Sequence, residues 1–157
     1  MKELKEILFG VNIDSVYGDT NLSISGISFD SRQIKQNNIF IAIKGYDLDG
    51  HNYIDQSINN GATVVVCETL PKKINEYEIV FIKVKCSKTA LYTISSNFYG
   101  NPSSKIDLIG VTGTNGKTTI TSLLYKLFNN QGIKSGLIST INIEYEEFIE
   151  NSKNTTP

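Results

Sequence analysis

One short segment restricts the fold more than any other: Gly113-Thr114-Asn115-Gly116-Lys117-Thr118-Thr119. Ahead of it, Ile106-Asp107-Leu108-Ile109-Gly110-Val111 is short and mostly apolar and reads as a strand. Behind it, Ile120, Leu123, Leu124, Leu127 and Phe128 recur at the spacing of an amphipathic helix, which Gly132 should stop. Ser135 to Ile141 then reads as a returning strand, so the stretch is predicted to form one βαβ unit.

A strand, a glycine loop and a helix in that order make an anion site. Glycines at 113 and 116 permit backbone angles that turn successive N–H groups inward, and no side chain blocks a phosphate's approach. The helix adds its positive end. Lys117 is placed to reach β- and γ-phosphates as a point charge, and the Thr118 hydroxyl to ligate Mg²⁺. The loop departs from the general pattern at one place. Val111 stands where a glycine is usual, and Gly110 lies one position out of register. Such loops serve kinases, GTPases, motor ATPases and ATP-driven ligases, so the loop alone leaves the reaction open. Asp107, at the start of its strand, is at the wrong end to be a second metal ligand.

The rest of the 157 residues also alternates helix and strand, which sets the class as α/β. Leu4, Ile7 and Leu8 suggest a short opening helix, and Leu22 to Phe29 alternates like a strand with one wet face. Ile39-Phe40-Ile41-Ala42-Ile43 is a continuous apolar run, as in a strand buried on both faces, and Ala62 to Cys67 and Ile79 to Val84 read as two further strands. Tyr53, Ile54 and Ile58 mark a short helix before Gly61. Ala90, Leu91, Ile94 and Phe98 mark a longer one, stopped by Gly100-Asn101-Pro102. The expected division is a small α/β domain over 1–86 and the beginning of a doubly wound nucleotide-binding domain over 87–157. One βαβ unit is short of the strands such a sheet needs, so the second unit reads as truncated. Fifteen basic against sixteen acidic residues give a net charge of −1, which provides no bulk attraction to nucleic acid or anionic membrane. No apolar run approaches the ~18 residues of a membrane span. Cys67 and Cys86 both sit among strand-forming residues and read as buried, reduced thiols of a cytoplasmic protein.

Several motifs taken together resemble the Mur ligases, which build the peptide of the bacterial cell wall. The string Gly110 to Thr119 is similar to their ATP loop. Phe29-Asp30-Ser31-Arg32 with Asn38 to Gly45, Asp49-Gly50-His51, Gly61-Ala62 and Asn154-Thr155-Thr156-Pro157 match other stretches of that family. Taken singly, Asp30-Ser31-Arg32 reads as a turn with an Asx hydrogen bond, and His51, the only histidine, as a loop-packing residue.

The resemblance implies that Gly113, Thr114, Asn115, Gly116, Lys117, Thr118 and Thr119 bind ATP, with Lys117 the catalytic group on the phosphates and Thr118 on Mg²⁺. It implies that Phe29 and Ser31 contact the UDP part of a UDP-N-acetylmuramoyl-peptide, and that Asn154, Thr155 and Thr156 hold its sugar-peptide. The implied reaction is amide ligation through an acyl phosphate. Thr114 and the Thr-Thr-Pro ending most resemble the family branch that adds the third amino acid, diaminopimelate or lysine, to UDP-N-acetylmuramoyl-L-alanyl-D-glutamate. The amino acid itself would be bound by regions absent here, so this stretch, expected to be monomeric, is not a competent ligase alone. Three alternatives stand beside it. One is the sister branch that adds a D-alanyl-D-alanine dipeptide, which tends to carry Ser in place of Thr114. Another is a non-catalytic nucleotide-binding module. The third is an unrelated P-loop kinase, which would have no use for the first-domain match.

Overall fold

The computed structural model describes residues 1–46 and 48–152. It divides into two compact units, Met1–Asp107 and Leu108–Pro157.

Unit 1 opens with β1 (Lys2–Glu3), α1 (Leu4–Ile7), β2 (Ile13–Tyr17), β3 (Ser23–Ile24) and β4 (Gly26–Ser28). A 3-10 turn at Ser31–Gln33 leads to β5 (Asn38–Ile41), and a second at Gly50–Tyr53 leads to α2 (Ile54–Asn59). Then follow β6 (Ala62–Cys67), β7 (Val80–Val84) and α3 (Ser87–Phe98). The main sheet has the order β2-β7-β6-β5-β4; β4, β5, β6 and β7 are parallel, and β2 is antiparallel to β7. A small antiparallel pair, β1 with β3, stands apart from it.

These segments are mostly apolar because the central strands are covered on both faces. Side chains alternate between two cores. Ile39, Ile41, Val64, Val66, Ile82 and Val84 enter one, with Leu4 and Ile7 of α1 and Ala90 and Ile94 of α3. Phe40, Ala42, Val65, Cys67 and Phe81 enter the other, with Ile54 of α2 and Ile34. The predicted strand Leu22–Phe29 is broken at Ser25, whose hydroxyl donates to the Gln36 carbonyl at 2.7 Å and to Asn38 Oδ1 at 3.0 Å. Its first half pairs with β1 and its second with β5.

The first compact unit runs to Asp107, with Ala90 and Ile94 of α3 buried in its core, and the expectations for Cys86 and for residues 106–111 are corrected. Helical periodicity shows that α3 has an apolar face, but not which sheet receives it. Cys86 is exposed, since it lies at the N-terminal boundary of α3 and outside both cores; Cys67 is buried as expected. Residues 106–111 form no strand, and among the described residues no strand pairs with them. A strand is maintained by a neighbour's ladder, and here Leu108 and Ile109 are 70% and 60% exposed.

Unit 2 contains α4 (Lys117–Asn130), β8 (Gly136–Ile138), β9 (Asn142–Tyr145) and β10 (Phe148–Asn151). The helix follows the predicted stripe, although Ile120, Leu123 and Leu127 remain exposed. The returning strand β8 joins an antiparallel meander, β8-β9-β10, so the expected parallel βαβ pairing does not form among the described residues. Ser139 shapes the β8–β9 turn: its Oγ accepts from the N–H groups of Ile141 at 3.2 Å and Asn142 at 3.1 Å. No helix among the described residues is long and apolar enough to cross a membrane.

Two outcomes check this description. Ile94→Ala should destabilise unit 1 by about 2–4 kcal/mol in denaturant unfolding, as a cavity in a shared core does; a change below about 0.5 kcal/mol would detach α3 from that core. Burial pushes the Cys67 thiol up to about 11, while a hydrogen bond with Thr89 lowers that of Cys86. An alkylating reagent at neutral pH should therefore label Cys86 alone in the native chain and both thiols in denaturant. Equal native rates would contradict the burial of Cys67.

Candidate functional site

The glycine loop keeps its expected shape without its strand. Gly113 has φ +149° and Gly116 has φ +79°, angles that L side chains rarely adopt. A Cβ at Gly113 would meet nothing closer than 3.7 Å, and one at Gly116 nothing closer than 3.9 Å. Glycine is needed there for backbone angle, and the concave side is open. Helix α4 starts at once, with Gly116 at its N-cap, no side-chain cap and no acidic residue in its first turn. The first N–H groups of a helix have no intrahelical acceptor, so this end is left as an uncapped positive pole.

Lys117 closes over the loop: its Nζ donates to the carbonyls of Gly113 and, at 3.3 Å, Thr114. Those are weak neutral acceptors for an ammonium, and a phosphate oxygen is a stronger one. Thr118 lies one residue into the helix with its Oγ1 3.1 Å from the Thr140 Oγ1, just past β8. Two hydroxyl oxygens are hard donors of the kind Mg²⁺ accepts, and Mg²⁺ commonly takes few protein ligands when phosphates supply the others. The described residues hold no cluster of three or more His, Cys, Asp or Glu able to bind a metal by themselves. The Thr118 and Thr140 hydroxyls are donors that fit a Mg²⁺ carried in on a nucleotide.

A second candidate site lies in unit 1 at the carboxyl end of β4. The predicted Asx turn is present: the Arg32 N–H donates to Asp30 Oδ1 at 3.0 Å. The Arg32 side chain also grips this carboxylate, Nε to Oδ1 at 2.9 Å and Nη2 to Oδ2 at 2.8 Å. This hydrogen-bonded guanidinium holds the Asp30 carboxyl down at about 2. The pair's stabilising contribution is therefore present above the ordinary carboxylate range and is lost only as pH falls toward 2.

Ser31 is only 6% exposed, whereas Phe29, two residues earlier, is 59% exposed. The Ser31 hydroxyl donates to Gln56 Oε1 at 2.7 Å, and its carbonyl accepts from Asn60 Nδ2 at 2.9 Å. Gln56 is on α2 and Asn60 is its C-terminal cap. Sequence reading passed over Gln56 and Asn60, since nothing local marks a partner 25 or 29 residues away.

His51 is a structural stitch, in line with its loop-packing reading. Its Nδ1 meets Asp49 Oδ1 at 2.6 Å, and its Nε2 accepts from the N–H of Glu68 at 3.0 Å and of Thr69 at 3.4 Å. Two backbone donors at Nε2 fix the neutral tautomer with the proton on Nδ1. Glu68 in turn accepts the Ser87 N–H through Oε1 at 2.8 Å. Asn154, Thr155 and Thr156 lie outside the described residues.

Two family models match the chain: Mur ligase family, catalytic domain, over residues 23–99, and Mur ligase middle domain, over residues 111–157. A UDP-N-acetylmuramoyl-L-alanyl-D-glutamate–2,6-diaminopimelate ligase of Cytophaga hutchinsonii is 45% identical over 155 residues, 99% of this chain and 32% of that protein. A ligase of the same name from Clostridium acetobutylicum is 42% identical over 99% of this chain and 32% of its own length. The chain thus spans about a third of the curated relatives it matches. Among solved structures, a ligase with that diaminopimelate title aligns with all of this chain and 31% of its own, at TM-score 0.67 and 24% identity, a likeness of fold. A MurF ligase of Thermotoga maritima in complex with ADP aligns over 67% of this chain and 23% of its own, at TM-score 0.51 and 29% identity.

The loop geometry predicts unequal responses at two glycines. Gly116→Ala should lower the stability of unit 2 by about 1–2 kcal/mol, the cost of a left-handed non-glycine residue. Gly110→Ala, where φ is not positive and a Cβ meets nothing within 4 Å, should be nearly neutral. Urea unfolding of both variants measures this, and equal effects would contradict the assigned backbone.

Proposed function

This chain belongs to the Mur ligase family, and from that premise we propose that it supplies the UDP-sugar-binding part and the ATP loop of an ATP-dependent amide ligase in peptidoglycan precursor synthesis. The observation that carries the reading is the uncapped glycine loop with Lys117 folded over it. In this reading unit 1 binds UDP-N-acetylmuramoyl-L-alanyl-D-glutamate through Phe29 and Ser31, and unit 2 binds ATP through Gly113 to Thr119. Asn154, Thr155 and Thr156 hold the sugar-peptide. The names of the relatives favour diaminopimelate over lysine as the amino acid added.

The chemistry asks three things of these residues. A carboxylate is a poor acyl donor, so the terminal carboxylate of the dipeptide takes the γ-phosphoryl group of ATP, and ADP leaves. The incoming amine then attacks the acyl carbon, phosphate departs and the amine's proton is lost to solvent or a base. Lys117 neutralises charge on the β- and γ-phosphates, and the backbone N–H groups of the loop and the α4 start hold them in place. The Thr118 hydroxyl would hold Mg²⁺, which supplies charge neutralisation between the phosphates when bound. Ordering the carboxylate and γ-phosphate within reach of each other removes much of the entropic barrier.

The exposed apolar faces of α4 and of residues 108–111 are surfaces that further strands of a doubly wound sheet would cover. We place the reaction in the cytoplasm, where ATP and nucleotide sugars are available, and take the protein to be monomeric.

The test is made on the protein at the full length of its relatives. ATP consumption should require both UDP-N-acetylmuramoyl-L-alanyl-D-glutamate and diaminopimelate. Lys117→Ala should remove turnover while leaving binding of the UDP-sugar, measured by calorimetry, within about twofold. Turnover that persists in Lys117→Ala contradicts the loop's role, and turnover with D-alanyl-D-alanine on a tripeptide substrate instead would assign the sister branch.

A further inference from the structure

Ser31 has one hydroxyl hydrogen and two oxygen lone pairs to offer. The hydrogen is committed: Oγ donates to Gln56 Oε1 at 2.7 Å. The carbonyl of the same residue is occupied as well, accepting from Asn60 Nδ2 at 2.9 Å and from the Ile34 N–H at 3.4 Å. Gln56 and Asn60 are four residues apart on α2 and its C-terminal cap, so both project from one face of that helix onto the Ser31–Gln33 turn. Ser31 is therefore held at two points, and with its hydrogen spent its hydroxyl can act toward a ligand only through its lone pairs.

We infer that Gln56 is a positioning residue that makes Ser31 a hydrogen-bond acceptor toward its ligand, so that Ser31 reads a donor group of the nucleoside, a base N–H or a ribose hydroxyl, and not the diphosphate. This inference rests on the proposed UDP-sugar site and refines it. Diphosphate oxygens at neutral pH carry no hydrogens, so two acceptors would face each other if Ser31 met a phosphate. The cation on this stretch is Arg32, whose Nε and one Nη2 N–H are taken by Asp30. The division of labour is thus a neutral acceptor for the nucleoside beside a charged donor for the phosphates.

The experiment titrates the protein at the full length of its relatives, in a Lys117→Ala background so that the ATP loop does not capture the diphosphate probes, with uridine, UDP and inorganic pyrophosphate, followed by NMR shifts or calorimetry, in Ser31→Ala, Gln56→Leu and Gln56→Glu. Thermal melts confirm that each variant is folded. Ser31→Ala and Gln56→Leu should weaken uridine and UDP by a similar factor, about tenfold, and leave pyrophosphate unchanged. Gln56→Glu can only accept from Ser31, so it should retain uridine affinity within about twofold. A structural role alone would not separate Leu from Glu in this way. Titration with 3-methyluridine and 2′-deoxyuridine then shows which donor is read, by which analogue makes Ser31→Ala silent. Loss of pyrophosphate binding in Ser31→Ala with uridine unaffected would overturn the inference, as would equal loss in both Gln56 variants. If Ser31→Ala alters none of the three probes, the proposed site itself falls; if it weakens uridine while both Gln56 variants bind normally, only the role of Gln56 falls.

Discussion

Parallel pairing of β4, β5, β6 and β7 is the constraint on which unit 1 depends. Each parallel pair needs a crossover that carries the chain back to the starting edge, so the segments leaving these strands all emerge at one end of the sheet. Phe29 to Arg32 follow β4, the loop to His51 follows β5, and Glu68 and Thr69 follow β6. Hydrogen bonds then tie this end together: His51 to Glu68 and Thr69, and Glu68 to the start of α3. Open parallel sheets bind ligands at this end, and that is where Phe29 to Arg32 and Asp49 to His51 are gathered, whereas Gly61-Ala62 lie at the start of β6.

Unit 2 achieves its site by other means. No residue of α4 is fully buried, so the loop is held by local terms: two glycine backbone angles, a helix start and the return of Lys117 onto carbonyls. These terms also explain its suitability for phosphate. A lysine bound to neutral carbonyls can exchange them for an anion with a gain in charge-assisted hydrogen bonding.

What could be read from the residues follows from the range of the forces involved. Ile39–Ile43, Ala62–Cys67 and Ile79–Val84 were legible because strands covered on both faces are mostly apolar; Thr63 and Lys83 are the half-exposed exceptions. The helices around Ile94 and Leu124 were legible from period. Strand β2 was not, since Asp14 and Ser15 interrupt its apolar residues and its ladder to β7 is long-range. The β9–β10 hairpin turns at Glu146, with φ +52°, and lacks the Asn-Gly or Asp-Gly signal of such turns. Residues 106–111 show the converse: their composition suits a strand, but pairing also needs a neighbour. In the candidate site, Gly113 to Thr119 could be read because the chemistry is contiguous. The Ser31–Gln56 bond could not, because it joins residues that only the folding of α2 onto the turn brings together.

The central claim is that the backbone around Gly113 and Gly116 cups the phosphate tail of a nucleotide. A crystal structure of the protein with Mg²⁺ and a non-hydrolysable ATP analogue tests this directly. The account requires phosphate oxygens on the N–H groups at the start of α4, with Lys117 Nζ moved off the Gly113 and Thr114 carbonyls onto them. A nucleotide bound elsewhere, with Lys117 still on those carbonyls, would contradict it.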